Sequence, residues 1–353
     1  MNGESIGDRR AASCALVVFT LALATMVTVR PATAITIGMV TDAATNQVTV
    51  FNADTDTILG SVAVPGSLAD CAISVDKRVG YVTVGDSQLF QIDLTQNPPV
   101  LRSGVNPIAI SNDGTDVSLS PRGEYALVCS EADPPVSVVL TQKRIEIGTF
   151  ALDSDCSSVD ACPNARSNNS SVLVTAVDAN YVRRLRLDTS GKLVDTGDVL
   201  GGGSPGNVTC SPLGTAGVAL HQSPFEIQSF TIPGLAPVDT RTLTGGVRPI
   251  SAVFNPSGTL VYVKGGAGGA GTVDVFAFDQ TTGALGATPV FSIPIAATTT
   301  QPFGTDIIAL NPAGTKLYVS EPGALNVYNA ATGALITSIT SADIVNPFGV
   351  CIR

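Results

Sequence analysis

Short apolar runs separated by turn-forming residues set the pattern of this chain, and residues 306–339 show it most clearly. Four apolar runs lie in this stretch, at residues 307–310, 317–320, 325–328 and 335–339. Asn-Pro-Ala-Gly, Glu-Pro-Gly and Asn-Ala-Ala-Thr-Gly separate them, and Pro, Gly and Asn are turn formers. The stretch therefore predicts a four-stranded antiparallel meander. A sheet that is apolar on both faces cannot bury itself, so it needs similar sheets on either side.

The same unit recurs along the chain. Whole copies begin at Asp70, Asp116, Asp155, Asn207, Ser251 and Asp306. Residues 35–62 match only the last three strands of a unit, and residues 346–353 match only its first strand. We therefore predict that the C-terminal strand completes the N-terminal sheet and closes a ring. The predicted fold class is all-β: a seven-bladed β-propeller of four-stranded antiparallel blades, with residues 35–353 as its single domain.

Two motifs carry a resemblance to a known family. Pro-x-Gly precedes a Tyr-Val strand at residues 256–263 and 312–319, and Gly-x-x-Pro precedes the inner strand at residues 104–107 and 246–249. Tyr81-Val82-Thr83-Val84 stands where that family has its signature, with Val in place of Asn. The chain thus resembles the YVTN-type β-propeller repeat family. The resemblance implies an exported seven-bladed propeller, similar to lactonase-like propellers that use His, Arg and carboxylates at the channel mouth.

Residues 1–34 have the form of a signal peptide. Arg9 and Arg10 precede an apolar run from Cys14 to Val29, and Ala32-Thr33-Ala34 is the small-x-small pattern that a signal peptidase cuts. The run is shorter than the roughly 20 residues that span a bilayer, so cleavage is favoured over an uncleaved anchor, which is the alternative. We expect an exported protein that is secreted, periplasmic or attached to the cell surface.

The negative charge of the chain restricts the classes of partner that it can bind. The formal net charge is −10, and only 14% of the residues are charged. An acidic surface argues against nucleic acid, and against a membrane once the signal is cleaved. The remaining partner classes are a protein, a carbohydrate or a small molecule at the channel mouth, and we expect a monomer.

Six cysteines follow the predicted signal peptide, an even number that permits disulfides in an exported protein. Their connectivity has 15 solutions, which the sequence does not separate. Cys156 and Cys162 are close enough in sequence to close a small loop, and we predict that pair. No CxxC or Cys/His cluster indicates zinc.

Polar residues recur at two positions of the repeat. In a closed ring, both positions lie at the channel mouth. The turns between the second and third strands supply predicted ligand-binding residues, Asp42, Asp86, Glu131, Asp178 and Glu321. The beginnings of the inner strands supply predicted metal ligands, Asp70, Asp116, Asp155 and Asp306. Oxygen ligands converging from several blades suit a hard cation such as Ca²⁺. The alternative is that these residues only cap turns.

Two functions follow from this mouth. The sequence has no nucleophile-plus-base motif, metal cluster or nucleotide-binding loop, which favours a binding or scaffold module over an enzyme. The alternative is a lactonase-like hydrolase in which His221 is the general base and Arg248 polarises a carbonyl. Whether the chain is an enzyme stays open at this stage.

Overall fold

The structure is a computed structural model, and it describes residues 35–353 except 112, 134, 164–169, 267–268 and 299–305. Residues 35–353 form one compact unit of seven antiparallel sheets arranged as a seven-bladed propeller, as predicted. The predicted signal peptide lies outside the described residues and stays a prediction. No helix within the described part of the chain is long and apolar enough to cross a membrane.

The strands follow the order of the repeat. Blade 1 begins with β1 (Ile37–Asp42), β2 (Gln47–Asn52) and β3 (Thr57–Ala63), and blade 2 contains β4 (Leu68–Ile73), β5 (Val79–Val84), β6 (Gln88–Asp93), β7 (Val100–Leu101) and β8 (Ile108–Ala109). Blade 3 contains β9 (Gly114–Leu119), β10 (Tyr125–Ser130), β11 (Val136–Leu140) and β12 (Ile145–Phe150), and blade 4 contains β13 (Val159–Ala161), β14 (Ser170–Ala176), β15 (Tyr181–Leu187) and β16 (Leu193–Gly201).

The second half of the ring has the same order. Blade 5 contains β17 (Pro205–Cys210), β18 (Ala216–Gln222), β19 (Phe225–Thr231) and β20 (Ala236–Arg241), and a single 3-10 turn follows at Thr244–Gly246. Blade 6 contains β21 (Pro249–Phe254), β22 (Leu260–Gly265), β23 (Gly271–Asp279), β24 (Ala284–Leu285) and β25 (Phe291–Ile295). Blade 7 contains β26 (Ile308–Leu310), β27 (Lys316–Glu321), β28 (Ala324–Asn329) and β29 (Leu335–Ile339), and β30 (Pro347–Ile352) ends the chain.

The C-terminal strand closes the ring. β30 pairs antiparallel with β1, so that Val350 lies opposite Val40 and Ile352 lies opposite Gly38. The sheet of blade 1 therefore has the order β3-β2-β1-β30, with its inner strand supplied by the end of the chain. This is the closure that the incomplete terminal units predict.

The outer strand is interrupted in two blades. In blade 2 both β7 and β8 pair with β6, and in blade 6 both β24 and β25 pair with β23. The excursion between β7 and β8 is held by Asn106, whose side chain accepts from Gln91 N at 2.7 Å and donates to Gln91 O at 2.7 Å. The outer edge of these two blades is therefore formed by two short strands and not by the one continuous strand that the repeat predicts.

The turns use the residues that the repeat supplies. In the turn before β27, Asn311 Oδ1 accepts from the backbone N–H groups of Thr315 at 2.8 Å and Lys316 at 3.0 Å. Gly314 closes the same turn at φ +66°, a conformation that a residue with a Cβ rarely adopts. A Cβ there would also lie 2.6 Å from Pro256 Cδ. The Asn-Pro-x-Gly pattern is thus a requirement of both the turn and the packing of the neighbouring blade.

The core lies between the sheets. The described residues contain seven clusters of buried apolar side chains, and each cluster joins two neighbouring blades. The cluster between blades 7 and 1 includes Phe51 and Tyr318, whose ring centroids are 5.4 Å apart. Burial of this surface is the main stabilising term, because each sheet covers an apolar face of the next.

Disulfides connect neighbouring blades, and the predicted Cys156–Cys162 pair is wrong. The structure pairs Cys71 with Cys351, Cys129 with Cys156, and Cys162 with Cys210. Cys156 and Cys162 are not bonded to each other, because β13 runs extended between them. Cys156 instead reaches blade 3, and Cys162 reaches blade 5. Three disulfides indicate an oxidising environment outside the cytoplasm.

Candidate functional site

The inner strands surround the central channel, and their beginnings lie near its mouth. Asp70 of β4, Asp116 of β9 and Ser158, which immediately precedes β13, have equivalent places. Each precedes the inner-strand residue that pairs with Val82, Val128 or Val174 of the second strand. All three side chains are buried. The ring geometry therefore places oxygen-bearing side chains of successive blades around one axis.

Three carboxyl groups meet at this level. Asp70, Asp116 and Asp306 each place one carboxylate oxygen within 4.8 Å of the other two. Asp70 is fully buried and Asp116 is 2% exposed, whereas Asp306 is partly exposed. We refer to these three residues as the aspartate cluster. All three are predicted from the sequence, and the structure brings them together.

The hydrogen bonds of the cluster run from blade to blade. Asp116 Oδ2 accepts from Val159 N of blade 4 at 2.8 Å, and Asp70 Oδ2 accepts from Val117 N of blade 3 at 3.4 Å. Among the residues that the structure describes, no N–H or O–H group donates to Asp70 Oδ1. One oxygen of Asp70 thus fixes the carboxylate, and the other is buried without a donor, which is costly unless a proton or a cation reaches it.

Gly349 makes room for this carboxylate. A Cβ at residue 349 would lie 2.4 Å from Asp70 Oδ1 and 2.8 Å from Asp70 Cα. A side chain on β30 would therefore push Asp70 out of its position. The glycine of the closing strand is needed for the carboxylate of the next blade.

Burial and mutual repulsion keep protons on the cluster. Desolvation raises the pKa of Asp70 well above its usual range, and the nearby Asp116 and Asp306 raise it further. Desolvation likewise raises the pKa of Asp306 well above its usual range, and that of Asp116 to about 6. Carboxylates this close cannot all ionise without a counter-charge. The cluster can therefore hold shared protons or a positive ion.

A fourth aspartate, Asp160, lines the same cavity from blade 4, for which the sequence predicts Asp155 instead. Asp160 on β13 accepts from Cys210 N at 2.7 Å and lines a cavity of about 240 Å³ together with Asp116 and Asp306. Desolvation raises its pKa to about 6. Asp155 itself is exposed and outside the cluster. This unit lacks the Pro-x-Gly turn of its neighbours, so the sequence did not fix its register.

The five predicted ligand-binding carboxylates occupy different surroundings. Asp42 is 1% exposed, and its Oδ2 accepts from Val345 N at 2.7 Å and Asn346 N at 2.6 Å, which ties blade 1 to the approach to β30. Asp86 is exposed on the β5–β6 turn. Ligand binding by these residues stays a prediction.

Glu131 and Asp178 lie close enough together to repel. Desolvation raises the pKa of Glu131, and the charges of Asp155 and Asp178 raise it further. Glu131, Asp155 and Asp178 are all exposed, so this rim of blades 3 and 4 is acidic. Such a rim would attract a cation toward the channel.

Lys264 and Glu321 are buried where blades 6 and 7 meet. Glu321 accepts from Asn326 Nδ2 at 2.7 Å and from Tyr328 Oη at 2.8 Å. Lys264 is fully buried, and its Nζ donates to Ser320 O at 2.5 Å. Burial lowers the pKa of Lys264 to about 8, and Glu321 acts in the opposite direction. The bonds of Glu321 lie within blade 7, and the Lys264–Ser320 bond joins blades 6 and 7.

His221 and Arg248 lie near the ends of adjacent blades. His221 is fully buried on β18, and its Nε2 lies 2.9 Å from Gln228 Oε1. Burial lowers its pKa, so the ring is neutral near pH 7. Arg248 immediately precedes β21, and Gln222 next to His221 donates to Pro249 O at 3.1 Å. The structure brings the two strand ends together, and a catalytic role for either side chain stays a prediction.

Solved structures share the fold. A functionally unknown protein from Desulfotomaculum acetoxidans matches with a TM-score of 0.79 and 25% identity over 90% of this chain and 98% of its own. Candidate 6-phosphogluconolactonases from Bacteroides uniformis and Bacteroides fragilis match with TM-scores of 0.74 and 0.72 at 16% and 15% identity. They cover 90% and 92% of this chain, and 99% of each of their own chains. These likenesses show a shared fold.

No protein-family model matches the chain, and no curated protein matches it. The YVTN-type resemblance therefore stays a resemblance of motifs, and the propeller fold is what the structure and the solved relatives have in common.

Proposed function

We propose that this protein is an exported binding module that holds a divalent cation, with Ca²⁺ as the best fit, in the aspartate cluster at the channel mouth. The observation that carries the proposal is the convergence of three carboxylate oxygens within 4.8 Å around a fully buried Asp70 whose Oδ1 receives no donor from the described residues. A divalent ion would balance most of the charge and bind this oxygen directly.

The donor set favours a hard cation. The three ligands are carboxylate oxygens, and the one His of the chain, His221, is buried against Gln228 elsewhere in blade 5. Oxygen-only sites suit Ca²⁺ or Mg²⁺, and Ca²⁺ accepts the irregular geometry that side chains from different blades provide. Ser251 Oγ, fully buried in blade 6 at the position that Asp70 has in blade 2, has no partner among the described residues either.

The cation would also provide coordination positions for an oxygen of a partner. Ca²⁺ takes about 6–8 oxygen ligands, so three carboxylates leave positions for water or for an oxygen of a partner. Asp306 is the partly exposed member of the cluster. A ligand with carboxylate, hydroxyl or carbonyl oxygens at the mouth could complete the coordination. The partner is then a protein, a carbohydrate or a small molecule of this chemistry.

Calorimetry on the mature protein tests the proposal. After EDTA treatment, CaCl₂ should bind with one site per chain. Asp116→Asn should weaken this binding by about tenfold or more, because it removes one ligand charge while an amide oxygen can still accept from Val159 N. Asp279→Asn removes an exposed carboxylate from the β23–β24 turn, outside the cluster and the acidic rim, and should leave the affinity unchanged. Absence of heat and of any melting-temperature shift with Ca²⁺ or Mg²⁺ would reject the cation site.

A hydrolase is the second candidate. It is supported by the fold shared with two candidate 6-phosphogluconolactonases and by the Gln222–Pro249 bond that joins the strand ends of His221 and Arg248. Full burial of His221 means that a substrate must displace part of the mouth to reach it. Hydrolysis of a panel of lactones that is abolished by His221→Ala would favour this function. Equal rates with and without the substitution would remove it.

A further inference from the structure

A second site lies at the opposite end of the ring from the aspartate cluster. Asp70 is near the beginning of β4, whereas the turn that follows β4, residues 74–78, lines a cleft of about 750 Å³ between blades 2 and 3. The turns at residues 122–124 and 141–144 of blade 3 form its other wall. This volume lies within the range of about 300–1,000 Å³ that is typical of small-molecule sites.

The cleft gathers positive charge on an acidic protein. Arg78, Arg102, Arg122 and Arg144 line it, and Lys143 joins Arg144 in an adjoining hollow. These are five of the 19 lysine and arginine residues of a chain with a net charge of −10. An anion in this cleft would therefore lie near several guanidinium groups at once.

Three carboxylates, Asp76, Asp93 and Glu124, line the cleft beside the four arginines. The turns hold the first two of them. Asp76 Oδ1 accepts from Ser74 Oγ at 2.6 Å, and Asp93 Oδ1 accepts from Thr95 Oγ1 at 2.6 Å. The second oxygen of each carboxylate can still accept from a ligand hydroxyl group. The lining thus combines guanidinium donors with carboxylate acceptors.

The corresponding junction of blades 7 and 1 shows why this cleft is open. There Lys316 Nζ and Tyr318 Oη both bind Asp56, each at 2.7 Å, and fill the space. Val82 of β5 and Val319 of β27 occupy equivalent positions, because each pairs with the inner strand of its blade at the same point of the repeat. Counting back from them, Val79 and Tyr81 of blade 2 correspond to Lys316 and Tyr318 of blade 7.

The residue that corresponds to Asp56 has the opposite charge. We refer to the contacts of Lys316 and Tyr318 with Asp56 as the bridge. Arg144 corresponds to Asp56, because both precede the outer strand of their blade in the left-handed conformation, at φ +59° and +57°. Blades 2 and 3 therefore have valine and arginine where blades 7 and 1 have an ion pair. The bridge cannot form, and the space is left to a ligand.

The floor of the cleft is Tyr81, whose side chain is 4% exposed. Burial raises the pKa of its hydroxyl, and the charges of Arg102 and Arg144 oppose this shift. Both guanidinium groups are thus close to the same hydroxyl group. Arg102 Nη1 is also held by Gln91 Oε1 at 3.2 Å, which positions one of the two donors in advance.

We propose that this cleft binds a sugar that carries a phosphate or carboxylate group. The planar guanidinium groups of Arg102 and Arg144 match the two oxygens of such an anion. Asp76 and Asp93 can accept hydrogen bonds from the sugar hydroxyls. The site is independent of the cation in the channel, because it is formed by turns at the far end of β4 and β9.

Titration calorimetry in EDTA tests the cleft without the cation. Glucose 6-phosphate and glucuronate are the two anionic probes, and glucose is the neutral one. At least one anionic sugar should bind, and glucose should bind at least about tenfold more weakly, since charge-assisted hydrogen bonds supply the difference. Asp116→Asn should leave this binding unchanged. No heat with either anionic sugar, or equal heat with glucose, would overturn the proposal.

Matched variants locate the binding. Arg144→Asn removes the charge and keeps a residue that tolerates φ +59°, so the affinity should fall by about tenfold while the melting temperature is retained. Lys192→Asn removes one positive charge from an exposed turn of blade 4 and should have no effect. Unchanged affinity in Arg144→Asn, or an equal loss in both variants, would place the anion elsewhere.

The bridge can also be rebuilt. Val79→Lys combined with Arg144→Asp reproduces the pair that Lys316 and Asp56 form at 2.7 Å. This double variant should fold, close the cleft and lose sugar binding. Full retention of binding by the folded double variant would contradict the site.

Discussion

At the scale of single residues, the channel shows what a repeat does and does not reveal. Asp70, Asp116 and Asp306 could be named from the sequence because each begins a unit, and the ring makes such positions converge. Asp160 could not be named, because its unit is degenerate and an exposed aspartate, Asp155, stands five residues earlier. Burial, which raises the pKa of these carboxyl groups, is a property of the assembled ring.

The pKa shifts predict how stability depends on pH. Asp116 and Asp160 titrate near 6 in the folded protein, above the value of about 3.9 in an unfolded chain. A carboxyl group with a raised pKa stabilises the folded state below the unfolded pKa, and this contribution is lost as the pH rises through the folded pKa. The metal-free protein should therefore become less stable between about pH 4 and pH 7.

Bound Ca²⁺ should prevent this loss of stability at higher pH, because the ion binds the ionised carboxylates and takes the place of the proton. The difference between melting temperatures in CaCl₂ and in EDTA should widen as the pH rises. Asp116→Asn should narrow it. Parallel curves in the two media would show that the cluster does not hold the ion.

At the scale of elements, the sequence predicts the blades well and their junctions poorly. Pro-x-Gly turns and apolar runs give the strand order, because they are local. The split outer strand of blade 2 depends on Asn106 reaching back to Gln91, and the disulfides depend on which blades become neighbours. The basic cleft was missed for the same reason. Comparing Val79 with Lys316, and Arg144 with Asp56, is the sequence signal that could have found it.

Junction bonds should differ in their contribution to stability. Tyr318 Oη reaches both Ala53 O at 2.8 Å and the charged Asp56, whereas Tyr262 Oη reaches only Ala330 O, also at 2.8 Å, within the described residues. Tyr318→Phe should therefore lower the free energy of unfolding by about 2 kcal/mol and Tyr262→Phe by about 1 kcal/mol. Urea denaturation of the two variants measures the difference. Equal losses would mean that the contact with Asp56 contributes little.

At the scale of the whole molecule, the fold is a closed ring with a core at every junction. The apolar clusters between neighbouring blades include one between blade 7 and blade 1, so closure buries surface like any other junction. Unfolding then has to open the ring, where β30, the Cys71–Cys351 bond and the contacts of Asp42 act together. The incomplete terminal units predicted the strand pairing, whereas the sequence did not indicate the disulfide.

The closing disulfide should be the one that matters most for stability. Cys71 and Cys351 are separated by 280 residues, and Cys129 and Cys156 by 27. In the chain-entropy model a longer loop restricts the unfolded chain more, so replacing the first pair by serine should cost roughly 2 kcal/mol more than replacing the second. Denaturant unfolding of both double variants checks this. A larger loss for Cys129→Ser with Cys156→Ser would show that local packing decides.

The same bond alters what a protease can achieve. A single cut in the backbone anywhere between Cys71 and Cys351 leaves two fragments that remain tied through sulfur, since each fragment keeps one of the two half-cystines. The nicked protein would migrate as one species on a gel without reductant and as two species with it. Damage to an exposed loop would therefore not release a piece of the ring until the surroundings became reducing.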